Sequence, residues 1–435
     1  MSGRARVACT PRVKRVQTIS LSLIFIICVL NYMDRGTLSV ANPLIRNELG
    51  LSVAEMGVLL SAFLWPYAFT LLLAGGLVDR LKPRRVLTIS MIVWSIAQGA
   101  AGFIVSYGQF LVARALLGVG EAPMFPTASR VVNDWYHEND QALGVGIWNA
   151  APPLGNAVSP ILLTPIMLVF GWRWMFVLMA VLGFILAGIW YAVYRDFDSE
   201  TLTEMDRHYL YREGVVPEAH PVHAAAWGKL FSFQSTWGLI LGFFGNVYIG
   251  WLFAAWLPGY LEQQRHMSIA KTGFVASVPF LFGVVGSILG GYLADRLTTR
   301  GMTAIASRKI LTVIGLVIMA CATFMAAETD SNFIAVASIS AAIFFGQSSS
   351  GTSWSLANAC APPNYAASLG AIMDFGGFIG GALAPMVTGF MVQATGSFTP
   401  ALLVAGAIGL CSAVAYSVLI RSEPIATKAL AAGLA

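Results

Sequence analysis

The chain has 435 residues, 57% of them hydrophobic and only 11% charged, with a formal net charge of +5. A soluble protein runs roughly 45 to 50% apolar and about 25% charged, so no water-soluble fold could hide this much apolar surface. The basic excess could suggest nucleic acid, but Lys and Arg cluster between apolar runs, which points to a lipid bilayer instead.

Apolar runs of about 20 residues, enough to cross roughly 30 Å of hydrocarbon, recur at 17–41, 54–78, 86–106, 108–133, 141–169, 173–194, 233–260, 270–294, 309–327, 332–359, 365–393 and 399–420. The expected fold is an all-α membrane protein with twelve transmembrane helices in two parallel-repeat halves of six around a central cavity. Its parts are a tail at 1–16, a bundle at 17–195, a linker at 196–232, a second bundle at 233–421 and a tail at 422–435. Of the 26 Lys and Arg, 20 fall on the side of the tails and linker, and Arg46, Arg173, Arg265 and Lys271 on the other; Arg35 and Arg114 lie inside. That bias places both termini and the linker in the cytoplasm.

The basic start resembles a signal peptide, yet its apolar run is long, lacks a small-residue cleavage site and ends in Asn-Tyr-Met-Asp-Arg, so it reads as a retained first helix. Residues 1–16 read as a flexible basic tail. Span 1 then sets Asp34 and Arg35 among Leu, Ile, Phe and Val. A charge at that depth costs about 3 kcal/mol or more unless it faces a polar interior and finds a partner. A loop containing Asn42-Pro43 is expected up to about Val53, and span 2 ends in GGLVDRLKPRR at 75–85. A short turn near Ser106 to Gln109 makes spans 3 and 4 antiparallel neighbours. In span 4, Arg114 and Glu121 are seven apart and share a face. Span 5 is interrupted by Pro152, Pro153, Gly155 and Pro160, which bend a helix and let backbones approach.

The linker contains TLTEMDRHYLYREG, in which Thr201 and Glu204 form a capping-box pattern and Gly214 a stop, so a short amphipathic surface helix is expected. His208, His220 and His223 fall here, either as a metal site or, more simply, as solvated linker residues. The five cysteines match neither a disulfide framework nor a metal site. In span 10, Gln347, Ser348, Ser349, Ser350, Thr352 and Ser353 line a cavity or join helices. In span 11, GGFIGG at 376–381 reads as a packing surface rather than a phosphate loop, since no strand precedes it and no Lys follows.

The halves repeat. GGLVDRL at 75–81 answers GYLADRL at 291–297, and Asn149, Gly155 and Pro160 answer Asp374, Gly380 and Pro385 at a constant offset of 225. Parallel six-helix repeats with a site near the midplane are a known architecture of secondary transporters.

Adjacent residues on a helix point about 100° apart, so Asp34 and Arg35 serve different directions. The four intramembrane charges suggest a network with Asp34 on Arg114 and Arg35 awaiting an anion; the plainer reading is an Asp34–Arg114 staple. A carboxylate moved between apolar surroundings and a cation can take and release a proton near neutral pH, which fits Glu121. Asp79, Arg80 and Arg84, repeated as Asp295 and Arg296, lie several turns from the midplane and are expected to gate. Asp374 has three readings: a protonated hydrogen-bonding group, a second titrating site, or a contact for a cationic part of a substrate. With no nucleophile elbow, nucleotide loop or metal-ligand cluster, no enzyme is expected, and no cofactor beyond a proton as coupling ion.

The stretch from Gln17 to Arg421 resembles the major facilitator superfamily. The loop after span 2 is similar to its G-x-L-A-D-R-x-G-R-K signature, with Lys82 and Pro83 as departures. NYMDR (31–35), SAFLWPYA (61–68), RALLGVGEAPMFPT (114–127) and GWRWMF (171–176) together resemble the anion:cation symporter branch, which includes transporters of galactonate, glucarate and hexuronates. The resemblance implies that Arg35 contacts a substrate carboxylate, that Asp34 and Glu121 carry protons, that Arg114 partners Asp34, and that Tyr32, Tyr67 and Trp354 line the cavity. Two positions depart: Pro152-Pro153 stand where sugar-acid members often present an amide, and Asp374 where Asn is more usual. The function expected is proton-coupled import of a small organic anion, a sugar-acid monocarboxylate such as an aldonate or hexuronate, by a monomer in the plasma (bacterial inner) membrane. The alternatives are a less polar or aromatic carboxylate, an exchanger or exporter, and a transporter-like sensor.

Overall fold

The computed structural model describes residues 9–137, 141–197, 202–210, 228–362 and 365–425, and among these it is helical without strands. The rods are α1 (Pro11–Leu49), α2 (Val53–Ser61 and Leu64–Leu81), α3 (Pro83–Ala101), α4 (Tyr107–Glu121 and Met124–Trp135), α5 (Gln141–Asn149 and Ala151–Phe170) and α6 (Trp172–Val193). After the linker come α7 (Gln234–Gln263), α8 (Ile269–Val275 and Ser277–Thr299), α9 (Ala304–Glu328), α10 (Asn332–Cys360), α11 (Ala366–Thr395) and α12 (Thr399–Leu419). Ten of them are long and apolar enough to cross a membrane. The other two are α3, which opens on Arg84 and Arg85, and α4, which carries Arg114 and Glu121 and is broken before Met124. Local chemistry sets many of the ends. The side chains of Thr10, Ser52, Ser106, Ser268, Thr303 and Ser331 each accept the backbone N–H three residues on, while Gly50 and Gly396 supply left-handed stops.

Three boundaries differ from expectation. α1 starts at Pro11 and runs through Asn42-Pro43 to Leu49, so the stretches expected as tail and loop are partly helix. Packing holds it there: Ser39 donates to the Ala255 carbonyl at 2.7 Å, and Asn42 is buried where α1 passes Gly259. α5 breaks at Ala150, and Pro152 and Pro153 sit in the first turn of its second segment, where a missing N–H leaves no bond unmade. In the linker the described helix is Glu204–Leu210, capped by Thr203 with Asp206, bonded reciprocally at 3.1 and 3.2 Å. Asp206 decides this, because it also accepts from Thr10 Oγ1 at 2.5 Å and so fastens the linker helix to the start of α1. Thr201, Gly214, His220, His223 and the side chain of His208 lie outside the described residues.

The internal repeat reaches the packing. α11 covers the residues of α5 displaced by 225, and α2 and α8 begin 216 residues apart. The same offsets relate the points where the halves touch. A β-carbon on Gly57 would lie 2.7 Å from the Pro385 carbonyl oxygen and 3.0 Å from the Gly389 Cα; one on Gly273 would lie 2.7 Å from Thr164 Cβ. Gly57 and Gly273 are counterparts, as are Thr164 and Gly389. The halves therefore meet along two related seams, α2 with α11 and α5 with α8, and through α1 with α7.

The bundle has a linker end, carrying Thr10, the linker helix and residues 420–425, and an opposite far end. Ala54 N–H donates to Gln393 Oε1 at 2.9 Å, Ser61 Oγ bonds to the Ala382 carbonyl, and the rings of Tyr67 and Phe378 meet at 4.9 Å. Those contacts occupy the far-end part of the interface. On the linker side of Tyr67, Gly75 and Gly76 face open space, and Asp79 pairs within its own half. The halves are closed at the far end and parted at the linker end.

Candidate functional site

Midway along α1, Asp34 and Arg35 are 1% and 6% exposed, and α4 brings Arg114 (2%) and Glu121 (0%) beside them. The bonding differs from the expected network. Arg35 Nε donates to Glu121 Oε2 at 2.8 Å, while both carboxylate oxygens of Asp34 and the Nε and Nη1 of Arg114 have no hydrogen-bond partner among the described residues. Arg35 is therefore engaged rather than awaiting an anion, and Asp34 is not stapled to Arg114. Helix faces could be read from spacing, but the rotation of α4 against α1, which puts Glu121 and not Arg114 in contact, could not.

The ion pair is half open. Arg35 Nη2 and Glu121 Oε1 are buried without partners, and Asn31, also unpaired, lies close enough to act on Glu121. Breaking a buried pair by removing one partner typically costs about 3–5 kcal/mol because the other charge is left uncompensated. Nη2 is thus free for a second acceptor, whereas removing the Arg35 charge would leave the Glu121 carboxylate buried and uncompensated.

Aromatic rings enclose the guanidinium. Its Cζ stands 4.4 Å from the Tyr32 centroid, 4.7 Å from Phe63, 5.1 Å from Tyr67 and 5.8 Å from Trp251. Trp251 belongs to α7, so both halves contribute to this box, and its indole lies 6.3 Å from Phe63. Each ring face attracts a cation and excludes water, and the low local dielectric strengthens the bond to Glu121. Phe63 also faces Arg114, whose Cζ is 5.4 Å from its centroid. Phe63 and Trp251 were not singled out from sequence; Phe63 stands one turn before Tyr67, a weak signal, and Trp251 has none amid the aromatics of α7.

Trp354 stands outside this box. It is 40% exposed, sits edge-on to Phe243 at 6.3 Å and covers Gly370, apart from the Arg35 box. Asp374 is half-buried on α11, within electrostatic reach of Tyr32 and Tyr67, and makes no hydrogen bond or ion pair among the described residues. The polar row of α10 is divided: Ser349 donates to the Thr312 carbonyl and Thr352 shares a bond with Thr312, joining α10 to α9. Gly376, Gly377, Gly380 and Gly381 pack against α7.

At the linker end Asp79 accepts from Arg130 Nη1 at 2.7 Å, and Arg130 also holds Asp134. Arg84 bonds to the Tyr191 carbonyl and stacks on its ring, and its backbone N–H donates to Asp196. Arg80 is exposed. In the second half Asp295 lies 3.6 Å from Arg308, and Arg296 donates to Tyr292. Each of these bonds stays within its own half of the molecule.

The sequence profile of the Major Facilitator Superfamily matches residues 24–385, most of both bundles. The chain belongs to that superfamily. It is similar to the probable L-galactonate transporter of Escherichia coli (strain K12), 40% identical over 95% of this chain and 91% of that protein, and to the D-galactonate transporter of Escherichia coli O6:H1, 33% identical over 93% and 96%. Among solved structures, a bacterial homolog of the human lysosomal transporter Spinster in an inward-facing, occupied conformation superposes with a TM-score of 0.74 at 20% identity, covering 95% of this chain and 99% of that one. This member of the superfamily is an integral membrane transporter and not an enzyme.

Proposed function

We propose that this transporter imports a small organic anion, a sugar-acid monocarboxylate, together with protons by alternating access. The observation that carries the reading is the half-open Arg35–Glu121 pair inside a box built by both halves. While Glu121 is ionised it competes with a substrate carboxylate for Arg35. Once protonated it releases the guanidinium, and the carboxylate takes its place in a bidentate or shared geometry. Asp34 and Arg114, buried and unbonded beside them, supply the second charge pair that keeps the site near neutral as the proton and anion come and go. With the far end shut, Trp251 of the second half stands over the guanidinium, so a movement that parts the halves there uncovers the anion site. The clustering of basic residues at the linker end orients that end to the cytoplasm, in the plasma membrane of a bacterial cell. The relatives named for galactonate support a polyhydroxy monocarboxylate.

The aromatic box favours a second reading, a less polar carboxylate that lays an apolar body against Tyr32, Phe63, Tyr67 and Trp251. Uptake into proteoliposomes under an imposed pH gradient separates the two. Aldonates and hexuronates should accumulate and dissipate the gradient, and aromatic acids should not. Accumulation of aromatic acids alone selects the second reading, and no accumulation of any acid removes both.

A further inference from the structure

Of the cross-seam contacts described above, the one nearest the linker end is that of Tyr67 with Phe378, whose rings meet at 4.9 Å. Asp374 precedes Phe378 by four residues, one turn of about 5.4 Å nearer the linker end and on the same face of α11. It therefore stands just on the open side of the last closing contact, facing the half that holds Arg35. It lies within electrostatic reach of Tyr32 and Tyr67, the rings that also stand over Arg35. The site has two poles on opposite halves: a guanidinium, and a carboxylate that no described residue bonds.

We propose that Asp374 sets the charge class of the substrate, admitting monocarboxylates that end in hydrogen-bond donors and rejecting dicarboxylates. This inference rests on the reading of Arg35 as the carboxylate site. With the far end closed, an acid held at Arg35 can extend only toward the opening, past Asp374. An aldonate presents a hydroxyl there, and its O–H donates to the carboxylate. An aldarate of the same carbon chain presents a second carboxylate to a like charge in a region of low dielectric. Specificity then comes from a repulsive element rather than a better attractive one.

The test is competition against labelled galactonate in proteoliposomes, comparing galactarate with galactaric acid monoamide, which differs only in the capped distal carboxylate. In the wild type the diacid should compete at least roughly tenfold more weakly than the monoamide, as like-charge juxtaposition predicts. Asp374→Asn should bring the two to within about threefold. A wild type that binds both equally, or an Asn variant that keeps the wild-type ratio, overturns the inference and leaves the Arg35 reading standing. If Asp374→Asn does not fold, the wild-type comparison decides alone. A wild type that binds neither galactonate nor the monoamide overturns the sugar-acid reading, and this inference with it.

Discussion

α5 and α11 occupy the same register at an offset of 225, and the contacts of Gly57 with Gly389 and of Thr164 with Gly273 are counterparts under the repeat. The charges do not follow that pattern. α1 and α4 bury Asp34, Arg35, Arg114 and Glu121, whereas α10, the counterpart of α4, has no charged residue, and α7, the counterpart of α1, has only Glu262 near its far end. The repeat keeps the surfaces along which the halves meet, while the buried charges collect on one side. The second half contributes walls, Trp251 and Phe378, and the single acid Asp374.

If the chemistry is one-sided, the largest effect should come from the charged half. Glu121→Gln is expected to keep exchange of substrate across the membrane but lose uphill accumulation. One pH unit is worth about 1.4 kcal/mol, or about tenfold accumulation per proton, and the variant should forfeit that factor. A Gln variant that still accumulates substrate in step with the gradient would move the proton site elsewhere.

The seams should give a smaller and more discriminating effect. Gly57→Ala meets backbone at Pro385 and Gly389, so it should hold the far end ajar, and no side-chain truncation opposite should rescue it. Gly273→Ala meets the Thr164 side chain, so Thr164→Gly should restore it. Overpacking of this kind costs about 1–3 kcal/mol, a roughly tenfold or larger shift in the closed population, readable as a spin-label distance change at the far end together with the uptake rate. Rescue at both seams, or at neither, would break the comparison.

The smallest effect concerns the linker. Burial pushes the Asp206 carboxyl up, but bonds from Thr10 and Thr203 and the nearby Arg12 charge outweigh it and hold it below the usual carboxylate range. Its docking therefore stabilises the protein above a pH of about 4, the unfolded value, and is lost as pH falls through the lowered folded value. Asp206→Asn should lower Tm by about 2–4 °C near pH 7, with the difference shrinking in acid. An unchanged Tm would mean that the linker helix is held by its other contacts, Leu202, Leu210 and the Gln17 bond to Tyr209 among them.

The twelve spans were legible because about 20 apolar residues in sequence have few other uses. Their ends were less so. Asn42-Pro43 looks like a loop until α7 packs against it, and the Thr203–Asp206 cap owes its place to Asp206 also answering Thr10 at the start of α1. The site residues were conspicuous as charges in apolar runs, and Asp34, Arg35, Arg114 and Glu121 do come together. Which cation meets which acid depends on the rotation between two helices, and spacing within one helix carries no record of it. Trp251 joins the site from a helix rich in aromatics, where one more ring attracts no notice.

Phe63 has two arginines on one ring, at 4.7 and 5.4 Å, and it lies at the break between the two segments of α2. The same rod forms the seam with α11. Any bending of α2 at that break to part the seam also slides the ring that both guanidinium groups rest on, so opening of the seam and the electrostatics of the site share one hinge.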